Sequence, residues 1–277
     1  MKTETKHVNK ISNQVEFRRI WIEKTILSLR PELLGKGCLD LGAGKRPYAP
    51  YILGLGINYT SHDFAKYIPE KLLSGLQDSD WPADGYDKIC DILEVTEKNF
   101  DLVPLTEVLE HVINPQKVIS VAISCLRQNG YLVITVPFNS RMHQAPYWYS
   151  SGLSEFFFKD LAEELGYECI EIIQVGDFVD YWVQESRLCL SPFVRIQKIG
   201  ILIIERIGRF LRTKMDKQLL SSGGLNMLVV LKKNWILSKT RKRENLGSKK
   251  ITSELSAEIE DSSDLSKAHP HDRSMDL

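Results

Sequence analysis

Two sets of residues in this chain are spaced for chemistry. One is a series of carboxylates at the ends of short apolar runs; the other is a pair of histidines near clustered aromatics. The first run, Cys38-Leu39-Asp40-Leu41, leads into Gly42-Ala43-Gly44-Lys45. An apolar run of this kind reads as a strand buried on both faces. Glycines at its exit let the backbone turn tightly and pass close to a ligand. The third glycine of the dinucleotide fingerprint is missing, because Lys45, Arg46 and Pro47 follow. A diphosphate cradle is therefore a poor fit, and a nucleoside ligand without phosphates fits better. Asp63 closes the second run, roughly twenty residues past the turn, where a carboxylate can accept from both ribose hydroxyls. Its charge would strengthen those bonds.

His111 and His143 are candidate general bases, since histidine is the side chain that ordinarily titrates near neutrality. The plainer alternative for each is an imidazole that satisfies local backbone groups. Tyr147, Trp148 and Tyr149 stand just past the fifth apolar run. Aromatic rings stack on sugars or other ring faces and offer polar tips. The alternative is a loop packing its own aromatics over the core. His62, next to Asp63, alternates to the opposite face and reads as packing. The chain offers no compact His/Asp/Glu spacing that would mark a divalent site, so no metal is expected.

The elements that must position these residues alternate in type. Strands are expected over Gly37–Leu41, Ile57–His62, Lys88–Cys90, Leu102–Leu105, Tyr131–Val136 and Cys169–Val175. Helical spacing marks Glu16 to just before Pro31, Pro115–Gln128 and Ser154–Leu165. Asn129-Gly130 and Gly166 stand where helices stop. Strands alternating with helices imply a parallel sheet covered on both faces. A last strand, Leu225–Leu231, follows a long insertion, 183–222, and is expected to add antiparallel beside Cys169–Val175. The expectation is α/β: a doubly wound, Rossmann-like, mostly parallel sheet of seven strands. Its last strand is antiparallel, with a helical insertion before it. Pro104 sits inside the fourth strand, where a central strand wants an N–H donor, so a bulge or early strand end is expected.

The chain has 277 residues, 43% hydrophobic and 26% charged, as a soluble enzyme of one large domain would. Lys+Arg and Asp+Glu each number 36, a balance that argues against nucleic-acid binding. Cys38, Cys90, Cys125, Cys169 and Cys189 are scattered and read as buried thiols in a reducing compartment. Met1–Lys10 has no apolar core of a secretory signal. The domain is expected to span 1–237, with 238–277, basic and then Ser/Glu/Asp-rich, as a disordered tail. Within the insertion, Ile196, Ile199, Ile203, Ile207 and Phe210 share a helical face. Arg195, Lys198, Arg206, Arg209, Arg212, Lys214 and Lys217 crowd the same segment. Two readings stay open: a lid packed on the sheet, which the apolar face favours, and peripheral membrane contact through 195–217.

In order, these pieces resemble a class I S-adenosylmethionine-dependent methyltransferase. The resemblance rests on Leu39-Asp40-Leu41-Gly42-Ala43-Gly44, Tyr59–Asp63 and Cys90-Asp91-Ile92-Leu93. It continues through Phe100-Asp101-Leu102-Val103, Thr106-Glu107-Val108-Leu109-Glu110-His111-Val112 and Gly130–Pro137. The chain is most similar to the branch containing quinone-biosynthesis methyltransferases. Gly44–Tyr48 and His143–Tyr147 resemble members associated with bacterial cell-surface saccharides. The resemblance implies S-adenosylmethionine as cofactor. It places Asp40, Gly42, Ala43 and Gly44 at its methionine end, Asp63 on the ribose, Asp91 and Ile92 at the adenine, and Thr106 and Glu107 beneath the methionine portion. Similar proteins often carry a charged residue near Trp148–Ser151, which this chain lacks.

The sequence thus points to a cytoplasmic enzyme that methylates a small-molecule acceptor. O-methylation of a saccharide or related cell-surface precursor in polysaccharide biosynthesis leads. His143 and His111 are its candidate bases, and Tyr147, Trp148 and Tyr149 its acceptor contacts. A lipid or quinone methyltransferase at a membrane surface and a non-catalytic cofactor-binding scaffold are the alternatives.

Overall fold

In a computed structural model of the chain, residues 4–8, 14–33, 35–69, 76, 78, 81, 82, 84–190 and 194–233 are described. The chain divides into units 1–234 and 235–277, and the second lies outside the described residues, as does the expected tail. The strands are β1 (Lys6–Val8), β2 (Gly37–Leu41), β3 (Asn58–Asp63), β4 (Lys88–Ile89), β5 (Phe100–Thr106), β6 (Leu126–Pro137), β7 (Glu168–Val175) and β8 (Asn226–Lys232). The helices are α1 (Gln14–Leu33), α2 (Ala49–Gly54), α3 (Pro115–Cys125), α4 (Glu155–Leu165), α5 (Phe178–Leu190), α6 (Val194–Lys214) and α7 (Lys217–Ser221).

One sheet runs in the order β1-β7-β8-β6-β5-β2-β3-β4. β8 is antiparallel to both its neighbours, and the other pairings are parallel. Successive side chains of a strand point to opposite faces, and each face here has its own core. Leu132, Ile134 and Val136 of β6 join Met227, Val229 and Leu231 of β8 against α3 and α4. Tyr131, Val133, Leu228 and Val230 face the other way, onto Trp21, Ile22 and Ile26 of α1 and Ile52 of α2. Strands apolar on both faces are what a doubly covered sheet requires.

Several expectations are corrected. The sheet has eight strands rather than seven, because β1 adds to the free edge of β7 in the register Lys6↔Ile173 to Val8↔Val175. Lys-His-Val carries no strand signature of its own; the open edge recruits it. The last strand does flank Cys169–Val175, but it is inserted between β7 and β6. α1 runs through Pro31 to Leu33. Proline in a final turn removes one backbone hydrogen bond and little more, and Leu33 anchors that end at 1% exposure. α3 stops at Cys125, and Asn129-Gly130 lies inside β6, with the Asn129 N–H donating to the Lys233 carbonyl. Pro104 pairs directly with Val133 inside β5, and the irregularity falls earlier, between Phe100 and Leu102. The pairing of β5 to β2 registers at Cys38↔Leu102, which leaves Pro104 outside that ladder. Of the five thiols expected to be buried, Cys38 and Cys125 are, Cys90 and Cys169 are half-buried, and Cys189 is exposed.

The insertion before β8 is α5, α6 and α7. Two glycines bring α6 against α5: a Cβ on Gly208 would lie 2.9 Å from Val183, and one on Gly200 would lie 2.7 Å from Leu190. Arg212 of α6 locks the pair to the end of β7. Its guanidinium donates to both oxygens of Asp177, at 2.7 and 2.9 Å, and to Asp180 at 2.6 Å. Asp177 is 3% exposed, so it depends on that partner. Removing one member of a buried pair costs about 3–5 kcal/mol. Arg212→Met is therefore expected to lower the melting temperature by roughly 6–20 °C, at about 2–4 °C per kcal/mol for a domain this size. Thermal unfolding followed by circular dichroism checks it, and an unchanged midpoint would mean the lock is not formed in solution.

Candidate active site

The carboxyl ends of β2, β3, β4, β5 and β6 bring the candidate residues to one edge. The turn after β2 is built on β3: the N–H groups of Gly42 and Ala43 donate to the His62 carbonyl at 2.9 and 2.8 Å. The Gly44 N–H donates to Asp63 Oδ2 at 3.0 Å, and the Ala65 N–H to Asp63 Oδ1 at 2.9 Å. Gly42 and Gly44 both have left-handed backbones, with φ of 73° and 50°. A Cβ would fall 2.5 Å from Val108 at the first and 2.8 Å from Trp81 at the second. Only glycine meets both conditions. Asp40 lies beneath the turn, 1% exposed, and accepts from the Tyr59 hydroxyl at 2.7 Å while its second oxygen has no partner. Burial raises its pKa to about 6, the Tyr59 bond opposing the shift. Ala43 is buried, and Asp91 is exposed and caps the turn at Ile92–Glu94 by accepting from the Leu93 N–H.

Thr106 ends β5 beside Thr135. Glu107, just beyond, adopts φ 53° and is held from three elements. Thr135 donates to it at 2.9 Å, Asn226 of β8 at 3.2 Å, and Arg18 of α1 pairs with it at 2.6 Å. Burial opposes the charge on Arg18, but Glu107 and Tyr48 outweigh it and raise its pKa. Arg18 and Asn226 were not expected at this edge. They come from distant segments, and no local pattern marks them.

Glu110 and His111 form the short turn after Glu107, and His143 reaches them from the loop after β6. That loop is held by main chain. Leu76 forms a parallel bridge with His143, and the Tyr149 and Ser150 N–H groups donate to the Glu110 carbonyl. The expectation that the chain holds no compact His/Asp/Glu cluster is thereby corrected, because donor atoms of Glu110, His111 and His143 all lie within 4.8 Å of one another. Spacing along the chain hid it, since the third member lies on a different loop. His111 Nδ1 faces the Tyr147 carbonyl at 2.5 Å and His143 Nδ1 faces the Arg141 carbonyl at 2.8 Å. These contacts assign the ring protons to Nδ1 and leave both Nε2 lone pairs free. The Nε2 atoms stand 3.7 and 3.9 Å from Glu110 Oε1, beyond hydrogen-bond range. Glu110 is 0% exposed and neither oxygen has a hydrogen-bond partner. Burial raises its pKa well above the usual range; Glu107 adds to this and Arg18 opposes it. Burial also lowers the pKa of His111, to about 4. Such a set can take up a proton or hold a cation.

The aromatics border this cluster. Tyr147 meets Phe64 edge-on at 4.9 Å, Trp148 donates from Nε1 to Ser140, and Tyr149 is 48% exposed. Arg141, from the same loop, pairs with Glu185 of α5. The insertion therefore touches the loop that carries His143.

A parallel sheet with one antiparallel strand inserted between β6 and β7, and a Gly-x-Gly turn fastened by a carboxylate from the next strand, define a class I S-adenosylmethionine-dependent methyltransferase. The chain belongs to the methyltransferase-domain family, whose model matches residues 16–172. No curated protein matches it in sequence. Among solved structures it is similar to a protein of Galdieria sulphuraria assigned as a sarcosine dimethylglycine methyltransferase, with 15% identity and a TM-score of 0.50 over 83% of this chain and 94% of that one. It is also similar to a SAM-dependent methyltransferase of Archaeoglobus fulgidus, with 17% identity and a TM-score of 0.45 over 78% and 94%. A third is the 1,6-didemethyltoxoflavin-N1-methyltransferase of Burkholderia thailandensis, with 15% identity and a TM-score of 0.43 over 79% and 83%. These likenesses concern the fold.

The buried histidine has a consequence for stability. The folded chain protonates His111 only near pH 4, whereas an unfolded histidine takes a proton at about 6.5. Between those values the unfolded state binds more protons, so this site's contribution is complete above about pH 6.5 and lost as pH falls toward 4. His111→Gln is expected to shrink the stability difference between pH 7 and pH 4.5. Urea unfolding at both values tests it, and equal differences in the two proteins would refute it.

Proposed function

We propose that this protein transfers the methyl group of S-adenosylmethionine to a hydroxyl oxygen of a small acceptor. A saccharide or related cell-surface precursor is the acceptor class that the aromatic loop fits. The observation that carries this reading is the convergence of His111, His143 and Glu110 beside that loop, on the same edge as the Gly42–Gly44 turn. A hydroxyl must lose its proton as its oxygen is methylated, and free imidazole nitrogens can take it.

The residues fit the cofactor. Each oxygen of Asp63 accepts one backbone N–H and retains a further lone pair, so both can still receive ribose hydroxyls. The missing Cβ atoms at Gly42 and Gly44 let Val108 and Trp81 pack against the turn, and Trp81, over Gly44, has an unpartnered indole N–H. Asp63 would hold the ribose, Ile92 and Asp91 the adenine end, and the Gly42–Gly44 backbone, with Thr106 and Glu107, the methionine end. When bound, the cofactor supplies an electrophilic methyl carbon. The chain's own work is to orient the acceptor through Tyr147, Trp148 and Tyr149, to exclude water, and to take the proton at Nε2 of His143. His143 is the better base, because burial makes His111 a weak one. His111 would then position His143, which it meets edge-on at 4.6 Å.

Calorimetry should detect binding of S-adenosylhomocysteine but not NAD. Asp63→Asn is expected to lose about 1.5–3 kcal/mol of that binding, and wild-type affinity in the variant would remove Asp63 from the ribose.

His143→Ala is expected to lower kcat by roughly 10²–10⁴ with cofactor affinity intact. A rise in KM alone would make His143 a binding residue. Turnover on hydroxylated saccharide acceptors should survive EDTA if the cluster acts as a base. Loss restored by a divalent cation would instead assign Glu110, His111 and His143 to holding that ion.

A further inference from the structure

Helix α6 buries one face and leaves the opposite face bare. The buried face carries Gly200, Gly208 and Arg212 onto α5 and the end of β7. The outward face carries Ile199, Leu202, Ile203, Ile207 and Phe210, which are 63%, 57%, 52%, 44% and 61% exposed. They recur at three- and four-residue spacing and so form one stripe along the helix. A lid packed apolar-side down on the sheet would bury this stripe, and the structure presents it to solvent.

The charge beside the stripe is of one sign. Arg206 and Arg209 are exposed, and among the described residues no carboxylate pairs with either. Lys214 lies over the Phe210 ring at 5.8 Å. Glu205, the acidic residue of this helix, is taken by Arg187 of α5. In sequence, 194–217 holds seven basic and two acidic residues, within a chain of zero net charge. The chain's balanced charges thus conceal one strongly basic element.

We propose that α6 lies flat on an anionic lipid surface, with its apolar stripe in the acyl boundary and its arginines and lysines among the headgroups. An outward apolar stripe flanked by cations has the chemistry of an interfacial helix. At about 1.5 Å per residue the stripe from Ile199 to Phe210 runs roughly 17 Å along the helix. Among the described residues, no helix is long and apolar enough to cross a membrane, so this contact is peripheral. A second copy of the chain is a poorer occupant. Pairing two such faces would set Arg206 and Arg209 of one copy near the same arginines of the other, without carboxylates between them. The site of methyl transfer plays no part in this inference.

The test is co-sedimentation of the full chain with phosphatidylcholine vesicles, with and without phosphatidylglycerol. Binding is expected with the anionic vesicles and is expected to weaken as salt rises. Ile203→Asp and Phe210→Asp should each lower partitioning on the order of tenfold, and Arg206→Glu with Arg209→Glu should abolish the preference for phosphatidylglycerol. All three proteins should keep wild-type thermal melting and S-adenosylhomocysteine affinity, since the residues are exposed on the outward face of α6. No sedimentation of wild type with anionic vesicles would overturn the proposal. So would binding that ignores these substitutions, or aspartate variants that instead convert a soluble dimer to monomer.

Discussion

The site depends on one buried carboxylate. Asp63 accepts the Gly44 N–H on one oxygen and the Ala65 N–H on the other, and so pins the exit of β2 to the exit of β3. Gly42, Ala43 and Gly44 offer their three N–H groups to the neighbouring strand, and those groups need acceptors once buried. The His62 carbonyl receives two of them and Asp63 the third. The same side chain is thus fixed through both oxygens and still keeps spare lone pairs, because a carboxylate has more of them than two N–H groups use.

A second constraint governs the other half of the edge. Glu107 and Glu110 stand one helical turn apart at the end of β5, both within the protein. The structure treats them oppositely. Glu107 receives a cation and two polar donors, from α1, β6 and β8. Glu110 receives none and faces two imidazole nitrogens across a gap. Burial of an unpaired carboxylate favours its neutral form, which is why its pKa rises. Arg18 therefore does more than hold α1. It gives Glu107 the cationic partner that Glu110, three residues on, lacks.

The strands of the sheet core were legible because they are apolar on both faces and punctuated by glycine and carboxylates. Gly42, Asp63 and Glu107 fall at strand ends as read, since topology carries every such end to one edge. What could not be read was set by partners far along the chain. β1 has no pattern of its own and exists by pairing with β7. Arg18 and Asn226 reach Glu107 from opposite ends of the domain. His143 joins Glu110 only because Leu76 and the Tyr149 backbone fold the loop back. The periodicity of α6 was plain, but periodicity does not say which side of a helix faces the sheet. Its glycines decide that, by permitting approach on the face opposite the isoleucines.

The edge position of β1 bears on how the chain is made. Lys6 precedes its partner Ile173 by 167 positions in the chain. The strand therefore waits without a partner until nearly the whole sheet has been assembled. Contacts of such long separation form late, since the loop they close is entropically costly. Meanwhile β7 exposes a row of free amide and carbonyl groups, a template for pairing with another chain. The short strand Lys6-His7-Val8 acts as an intramolecular shield for that edge. Nascent chains are thus most prone to cross-pairing after β7 appears and before β1 docks, an interval set by topology and not by the stability of the finished fold.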